Sequence, residues 1–387
     1  MAITLLVTDK SLSLLGDPLD GWTELSAELL WNEPGAGALT VPAHSETAAL
    51  LQPGRRLVVI RDEDIWMAGP IEEPQNYEWS VDGEPSPGLL KVTFTDDLAR
   101  IAGFVTYPDP ALAFGSQVTT ADVNRVIPSS GTQNAELIIR QLVDENCGPG
   151  AISTRRIEQL VLDTVAGVGT ATAITTRLEP VLDACRTVAA GGGGLGFRTR
   201  QVGSEIRFGV YAPVDRTATA RFSRDIGNLR SVSFTLGAPL ATSELVQGGD
   251  TGDRAYVEVT SGAQADWWRV EKLVDQSGTT DTNGELTQAG NLELGNDNPT
   301  AALSTVCVDT DDLKAGRDYG LGDRVSVVPY SGMEIADVVR SMRLEATPDG
   351  GELVTTTVGN DDSTTEAQLV RQIRDLARRL GRLETRR

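Results

Sequence analysis

The run AAGGGGLGF at 189–197 places Gly191, Gly193 and Gly196 in a G-x-G-x-x-G spacing, which lets a backbone approach a pyrophosphate closely. Asp215 follows at about the 20-residue distance expected of a ribose-binding carboxylate. The chemistry would be dinucleotide binding. Such a loop needs a strand before the glycines and a helix after them, with the helix N-terminus facing the phosphates. The order here is reversed. Leu178, Val181, Leu182, Cys185 and Val188 keep helical spacing before the glycines, and Thr176-Arg177-Leu178-Glu179 fits a capping box for that helix. After the glycines, GFRTRQ and EIRFGVYAP alternate like a hairpin with Ile206, Phe208 and Val210 on one face. The glycines therefore close a helix, at the end whose partial charge disfavours phosphate. Asp215, in VDRT, reads as a turn residue.

Other chemistries find less support. No Gly-Lys pair occurs, so there is no Walker A loop. His44 is the single histidine; this rules out HExxH and two-histidine metal sites, and no G-x-S-x-G elbow accompanies it to build a triad. It reads as a loop residue after VPA. Two carboxylates suffice for a glycosidase, and Asp62-Glu63-Asp64, Asp96-Asp97 and Asp311-Asp312 supply candidates; in so acidic a chain such clusters are usually solvated turns. DTNGE at 281–285 lacks the twelve-residue spacing of a calcium loop. Cys147, Cys185 and Cys307 lie far apart, an odd set without CxxC spacing that fits neither a disulfide framework nor structural zinc. Neither catalytic residues nor a cofactor nor a metal is expected. Trp267-Trp268 in ADWWRVEKLVD could anchor a partner, although one of two such neighbours more often points into a core.

The balance of 34 basic against 55 acidic residues leaves a formal charge of −21. That surface repels phosphate and anionic lipid, so stable binding to nucleic acid or membrane is not expected. The opening MAITLLVTDK has no basic n-region or long apolar h-region, and no apolar run approaches the length that crosses a bilayer. A soluble product made in a reducing compartment is expected.

The elements that must position these residues are mostly strands. Forty glycines and recurrent Thr and Val favour a mainly β chain. ELSAELLW, RRLVVIRD and DIWMAGPIEEP punctuate the first 75 or so residues like an antiparallel sheet or small barrel. NAELIIRQLVDENCGPG then reads as a helix with Leu137, Ile138, Leu142 and Val143 on one face, stopped by Gly148 and Pro149. More strands follow in AYVEV, RVSVV, ADVVRSMRLEA and GELVTTTVG. The last segment changes sign: seven arginines face three acids from Glu366 onward, and Leu369, Ile373, Leu376, Leu380 and Leu383 step in the a/d rhythm of a coiled coil. The seam is short and Gly381 weakens it, so packing of the helix on its own body is the alternative to self-association.

Taken in order, PGAGALTVP, LLQPGRRLVVIRD, WMAGPIEEP, VTFTDDLARIAGFVTYPDP, LVDENCGPGAISTRR, GLGFRTRQVGSEIRFGVYAPVDRTATARFSRDIGNLRSVSF, LVQGGDTGDR, WRVEKLVDQSGTTDTNGELTQAG, DYGLGDRVSVV and EATPDGGELVTTTVG resemble the minor tail proteins of siphoviruses that infect actinobacteria, of the tail-hub type related to the baseplate hub of contractile phages. The resemblance implies a mainly β (α+β) fold with two β-barrel-like hub domains, 1–110 and 231–360, around a smaller α+β insert, 111–230, ending in a β-hairpin. The segment 361–387 would be a basic amphipathic coiled-coil helix. It further implies a homotrimer at the virion tail tip, synthesised in the host cytoplasm, that closes the tail tube. Its partners would be the distal tail protein ring, the tape-measure protein, and fibre or receptor-binding tail proteins. Many larger relatives carry a C-terminal hydrolase or adhesin; here the sequence stops soon after VTTTVGN, so cell-wall cleavage is not expected. A host-surface adhesin and a cell-wall glycosidase are the competing readings. The acidic surplus suggests a lumen that repels DNA so that it slides through.

Overall fold

The computed structural model describes residues 3–43, 49–72, 76–79, 88–117, 124–236, 238–249, 254–265, 267–277, 284–297, 301–330 and 332–359. His44, most of the DTNGE stretch and the whole heptad segment, with Leu369, Ile373, Leu376, Leu380 and Leu383, lie outside the described residues.

The fold is mainly β. Its largest sheet draws strands from both ends of the chain. Met333–Thr347 pairs antiparallel with Glu24–Leu30 on one side and Gly351–Val358 on the other. From there the sheet continues through Glu33–Pro42, Leu89–Thr95 and Asn76–Glu78 in one direction, and through Ala301–Val308 and Leu229–Leu236 in the other. Among the described residues this path stays open, with Leu229–Leu236 and Asn76–Glu78 as its ends. The sheet of Ile3–Thr8, Arg56–Arg61 and Asp64–Pro70 shares the same buried cluster: Leu5, Leu57, Val59 and Met67 pack with Leu25, Leu39, Phe94, Leu344 and Val354. Period-two alternation makes this possible, because every second side chain of a strand reaches one face. One core thus joins strands from the two ends of the chain and takes in Ala220 and Phe222 from the segment between them. Phe222 and Tyr319, both buried, meet edge to face at 5.4 Å inside it.

A second core is built mainly from residues 98–210, the expected insert together with the end of the segment before it. Helices α1 (Leu98–Ala102), α2 (Ala135–Cys147) and α3 (Val181–Gly191) pack on a sheet ordered Leu160–Leu162, Glu205–Tyr211, Gly196–Val202. Ile206, Phe208 and Val210 are buried on one face of the hairpin, as their alternation predicts. Helix α2 is capped by Asn134, whose side chain accepts from the Glu136 amide. Its buried stripe is Ile138, Ile139, Leu142, Val143 and Cys147; Leu137, expected on that face, is exposed and Ile139 takes its place. The stripe follows the i, i+3/i+4 pattern set by contact with α3.

The capping box expected at 176–179 does not form. Thr176 ends the strand Ile174–Thr176 and its hydroxyl lies 2.6 Å from that of Thr106. Helix α3 starts only after Pro180, without a side-chain cap. Proline disfavours the helical region for the residue before it, which keeps Glu179 extended and moves the start past the box.

A third, small layer holds Ala255–Thr260, Ser243–Gly249 and Glu271–Ser277 in that order, under helix α4 (Glu285–Asp297). Val246, Val274 and Leu286 form its core. A Cβ on Gly290 would come within 2.8 Å of both Val246 and Val259, so this glycine lets the helix approach the sheet closely.

Candidate interaction surface

The glycine run does what its position after a helix requires. Gly193 and Gly194 take φ of 101° and 75°, the left-handed region that glycine enters without steric cost. Gly194 N and Leu195 N both donate to Ala189 O, closing α3. A Cβ on Gly192 would sit 2.2 Å from that of Ala135, so the run also permits α2 to pass close by. Asp215 makes a local turn, its Oδ1 accepting from the amide (3.0 Å) and hydroxyl (2.7 Å) of Thr217. These residues form no phosphate cradle.

The carboxylates are equally committed to structure. Asp62 and Glu63, at φ 52° and 73°, form the tight turn between Arg56–Arg61 and Asp64–Pro70. Asp97 is buried in an ion pair with Arg56, which also donates to Thr8 Oγ1 at 3.3 Å and to Gln201 Oε1 at 2.8 Å. Burial raises the carboxyl of Asp97 despite Arg56 and pushes neighbouring Asp96 up to about 7; Asp96 Oδ1 accepts from Leu98 N at 3.0 Å. Asp311 and Asp312 lie exposed in a loop. The three thiols are free and buried, and burial pushes Cys147 and Cys307 up to about 12, which makes them packing residues rather than nucleophiles.

A junction that sequence reasoning missed joins insert and body. Asn32, at φ 58°, turns the chain between Glu24–Leu30 and Glu33–Pro42. Its side chain donates to Leu195 O at 2.9 Å and accepts from Phe197 N at 2.8 Å. Arg186 Nη1 of α3 reaches Asn32 O at 3.1 Å. An Asn flanked by strands signals a turn, but nothing local signals its partners more than 160 residues away. Asn32→Ala should cost about 1–3 kcal/mol, since two buried backbone groups lose their partner. Asn32→Gly, which relieves the backbone but not the lost bonds, should recover only part of that. Thermal unfolding of the two variants measures both.

What the surface offers is aromatic. Trp267 and Trp268 are both exposed, at 41% and 65%, and stack on each other with centroids 4.3 Å apart and planes at 26°. Neither enters a core, against the expectation for such a pair. Their backbone is pinned: Trp267 N donates to Ala263 O, and Thr242 Oγ1 donates to Trp268 O and accepts from Val270 N. Next to them Arg269 bridges Glu258 at 2.8 Å and Glu271 at 2.6 Å across the face of the small sheet opposite α4, where Tyr256 and Leu273 stand exposed. Rigid aromatics beside an arginine are the composition of a protein-binding hot spot. No helix among the described residues is long and apolar enough to cross a membrane, and no acidic, histidine or cysteine group among them could hold a metal.

No curated protein matches the chain in sequence. Its fold is similar to the 43 kDa tail protein of prophage MuSo2 from Shewanella oneidensis, at a TM-score of 0.58 and 12% identity, over 93% of this chain and 99% of that one. It is similar also to the tail protein from Neisseria meningitidis MC58 (TM-score 0.56, 13% identity, 94% and 98% covered). The prophage tail protein gp18 from Listeria monocytogenes EGD-e gives 0.54 at 11% identity, with 97% and 99% covered. At such identities the likeness is one of fold. The profile of the siphovirus ReqiPepy6 Gp37-like proteins matches residues 4–360, and the chain belongs to that siphovirus family.

Proposed function

We propose that the protein is the tail-tip hub of a long-tailed phage: a homotrimer that closes the tail tube and links the distal tail ring to fibre or receptor-binding proteins. The observation that carries this reading is a likeness of fold to phage tail proteins that runs the full length of both partners, with no large part of either left over. The shared core of segments 1–110 and 231–360 supports pairing them as two hub halves, so that three chains would present six similar faces to a ring above. The segment 361–387, with Leu369, Ile373, Leu376, Leu380 and Leu383 as its seam, would clamp the three chains. The tape-measure protein would end inside the ring, and an acidic lumen would let DNA pass without sticking.

The role is structural, not enzymatic. Of the carboxylates expected to serve a glycosidase, Asp62 and Glu63 are spent on a turn and Asp97 on a buried ion pair. A host-binding role is the second reading, favoured by the exposed stack of Trp267 and Trp268. Gold-labelled antibody against the chain, applied to purified virions, should mark the tail tip and leave the tube and capsid bare; label along the tube or on the capsid would contradict the hub. A cell-wall zymogram of the purified chain should stay uncleared, and Trp268→Ala should leave its stability unchanged.

A further inference from the structure

The small layer hides a carboxylate that has no donor. Glu244, on Ser243–Gly249, is fully buried, and neither of its carboxylate oxygens meets a hydrogen-bond donor among the described residues. Its register partner on the parallel strand is Lys272. That ammonium is directed elsewhere, to Asp297 Oδ2 at 2.5 Å and Glu293 Oε2 at 3.1 Å, both on the last turns of α4. Asp297 is itself only 5% exposed, and its side chain lies within hydrogen-bonding reach of Glu244.

Three carboxylates and one ammonium therefore gather in a corner where Glu244 and Asp297 are buried and Lys272 and Glu293 partly exposed. From Ala255–Thr260 the register partner of Glu244 is Val259, and α3 meets α4 through Gly191 against Gln288. The charged groups that act on Glu244 are thus Asp297, Lys272 and Glu293. Ionised carboxylates are acceptors only; two of them in contact repel unless one carries a proton.

We propose that Glu244 and Asp297 share one proton, which fastens the C-terminal end of α4 to the three-stranded sheet while Lys272 balances the remaining charge, and that losing this proton loosens the helix. A hydrogen bond of this carboxyl–carboxylate kind gives the orphaned Glu244 a partner and leaves Asp297 its bond from Lys272. Burial, then the contact with Asp297, pushes the Glu244 carboxyl up to about 7 against the pull of Lys272. An unfolded glutamate releases its proton near about 4.3. The folded layer holds the proton more tightly, so this contribution to stability is fully present in acid and is lost as pH rises through the folded value, around neutrality. The layer that carries the exposed tryptophans is accordingly tightest in acid, loosens between about pH 4.3 and 7, and changes no further in mild alkali.

Hydrogen exchange of the full chain between about pH 4.5 and 8.5 tests this, read as protection of Glu285–Asp297 relative to Met333–Thr347 in the same molecule, a ratio that removes the intrinsic base catalysis of exchange. Between about pH 4.5 and 7 the ratio should fall by up to about tenfold per pH unit, the slope of one linked proton, and it should level off above 7. In Glu244→Gln, which keeps a neutral donor in place, the ratio should stay flat. A flat ratio in the unmodified chain, or an unchanged slope in Glu244→Gln, would overturn the proposal. Carboxyl 13C NMR of the unmodified chain gives a reading that needs no variant: a glutamate side-chain resonance titrating near 7 is expected beside the aspartate resonance of Asp96, and titration of every glutamate below about 5.5 contradicts the shared proton.

Discussion

Arg61→Ala should lower the unfolding free energy by about 3–5 kcal/mol, the usual cost of stripping one partner from a buried ion pair. Arg61 is 7% exposed, at the end of Arg56–Arg61. Its Nη2 donates to Asp309 Oδ2 at 3.1 Å and Glu352 Oε1 at 3.0 Å, and Nη1 reaches Ala315 O at 3.4 Å. Asp309 also accepts from Tyr319 Oη at 3.2 Å. Removing the guanidinium leaves two carboxylates in a part of the core that joins chain segments 248 and 291 residues apart. Burial already raises the Asp309 carboxyl, with Arg61 opposing. Without the arginine Asp309 protonates more readily, so the deficit should be smaller at pH 4 than at pH 8. Urea denaturation at the two pH values measures this. A loss under 1 kcal/mol at pH 8 would mean that the network does not hold the two ends together.

Phe208→Ala should cost a similar amount, about 3–5 kcal/mol, by opening a cavity in the insert. Phe208 is fully buried, its ring 6.0 Å from that of Phe197, on the face that α2 and α3 cover. Because the insert has a core of its own, the damage should be local. Amides of Ala135–Cys147 and Val181–Gly191 should lose protection, while those of Met333–Thr347 keep theirs. Equal loss in both regions would show that insert and body unfold as one unit, and would give the Asn32 junction more weight than its two side-chain bonds suggest.

The sequence made local chemistry legible and distant pairing illegible. The order helix, glycines, hairpin could be read because each part is set by neighbours a few residues away, and Gly193, Gly194 and Phe208 sit accordingly. The absence of catalytic spacing likewise redirected the carboxylates toward turns, where Asp62 and Glu63 are found. Helix α4 gave no such signal: ELTQAGNLELGND carries two glycines and two asparagines, poor helix formers, and tertiary contact through Leu286 and Gly290 outweighs them. Pairing of Glu24–Leu30 with Met333–Thr347 leaves no local trace, and neither do the links from Arg61 to Asp309 or from Asn32 to Phe197. The interaction surface was half visible. Adjacent tryptophans stand out in any sequence, but that both face solvent is decided by the small sheet and by Thr242, which fixes the backbone beneath them.

Absolute mass in solution, by light scattering behind a sizing column, tests the trimeric hub most directly when the full chain is compared with a chain ending at Asn360. The full chain should elute at about 124 kDa, three times its 41.2 kDa, and the shortened chain should fall toward the monomer, assigning the clamp to residues 369–383. A trimer that survives truncation would place the interface in the β layers instead. Monomers of both chains, also when mixed with the distal tail ring, would contradict the hub.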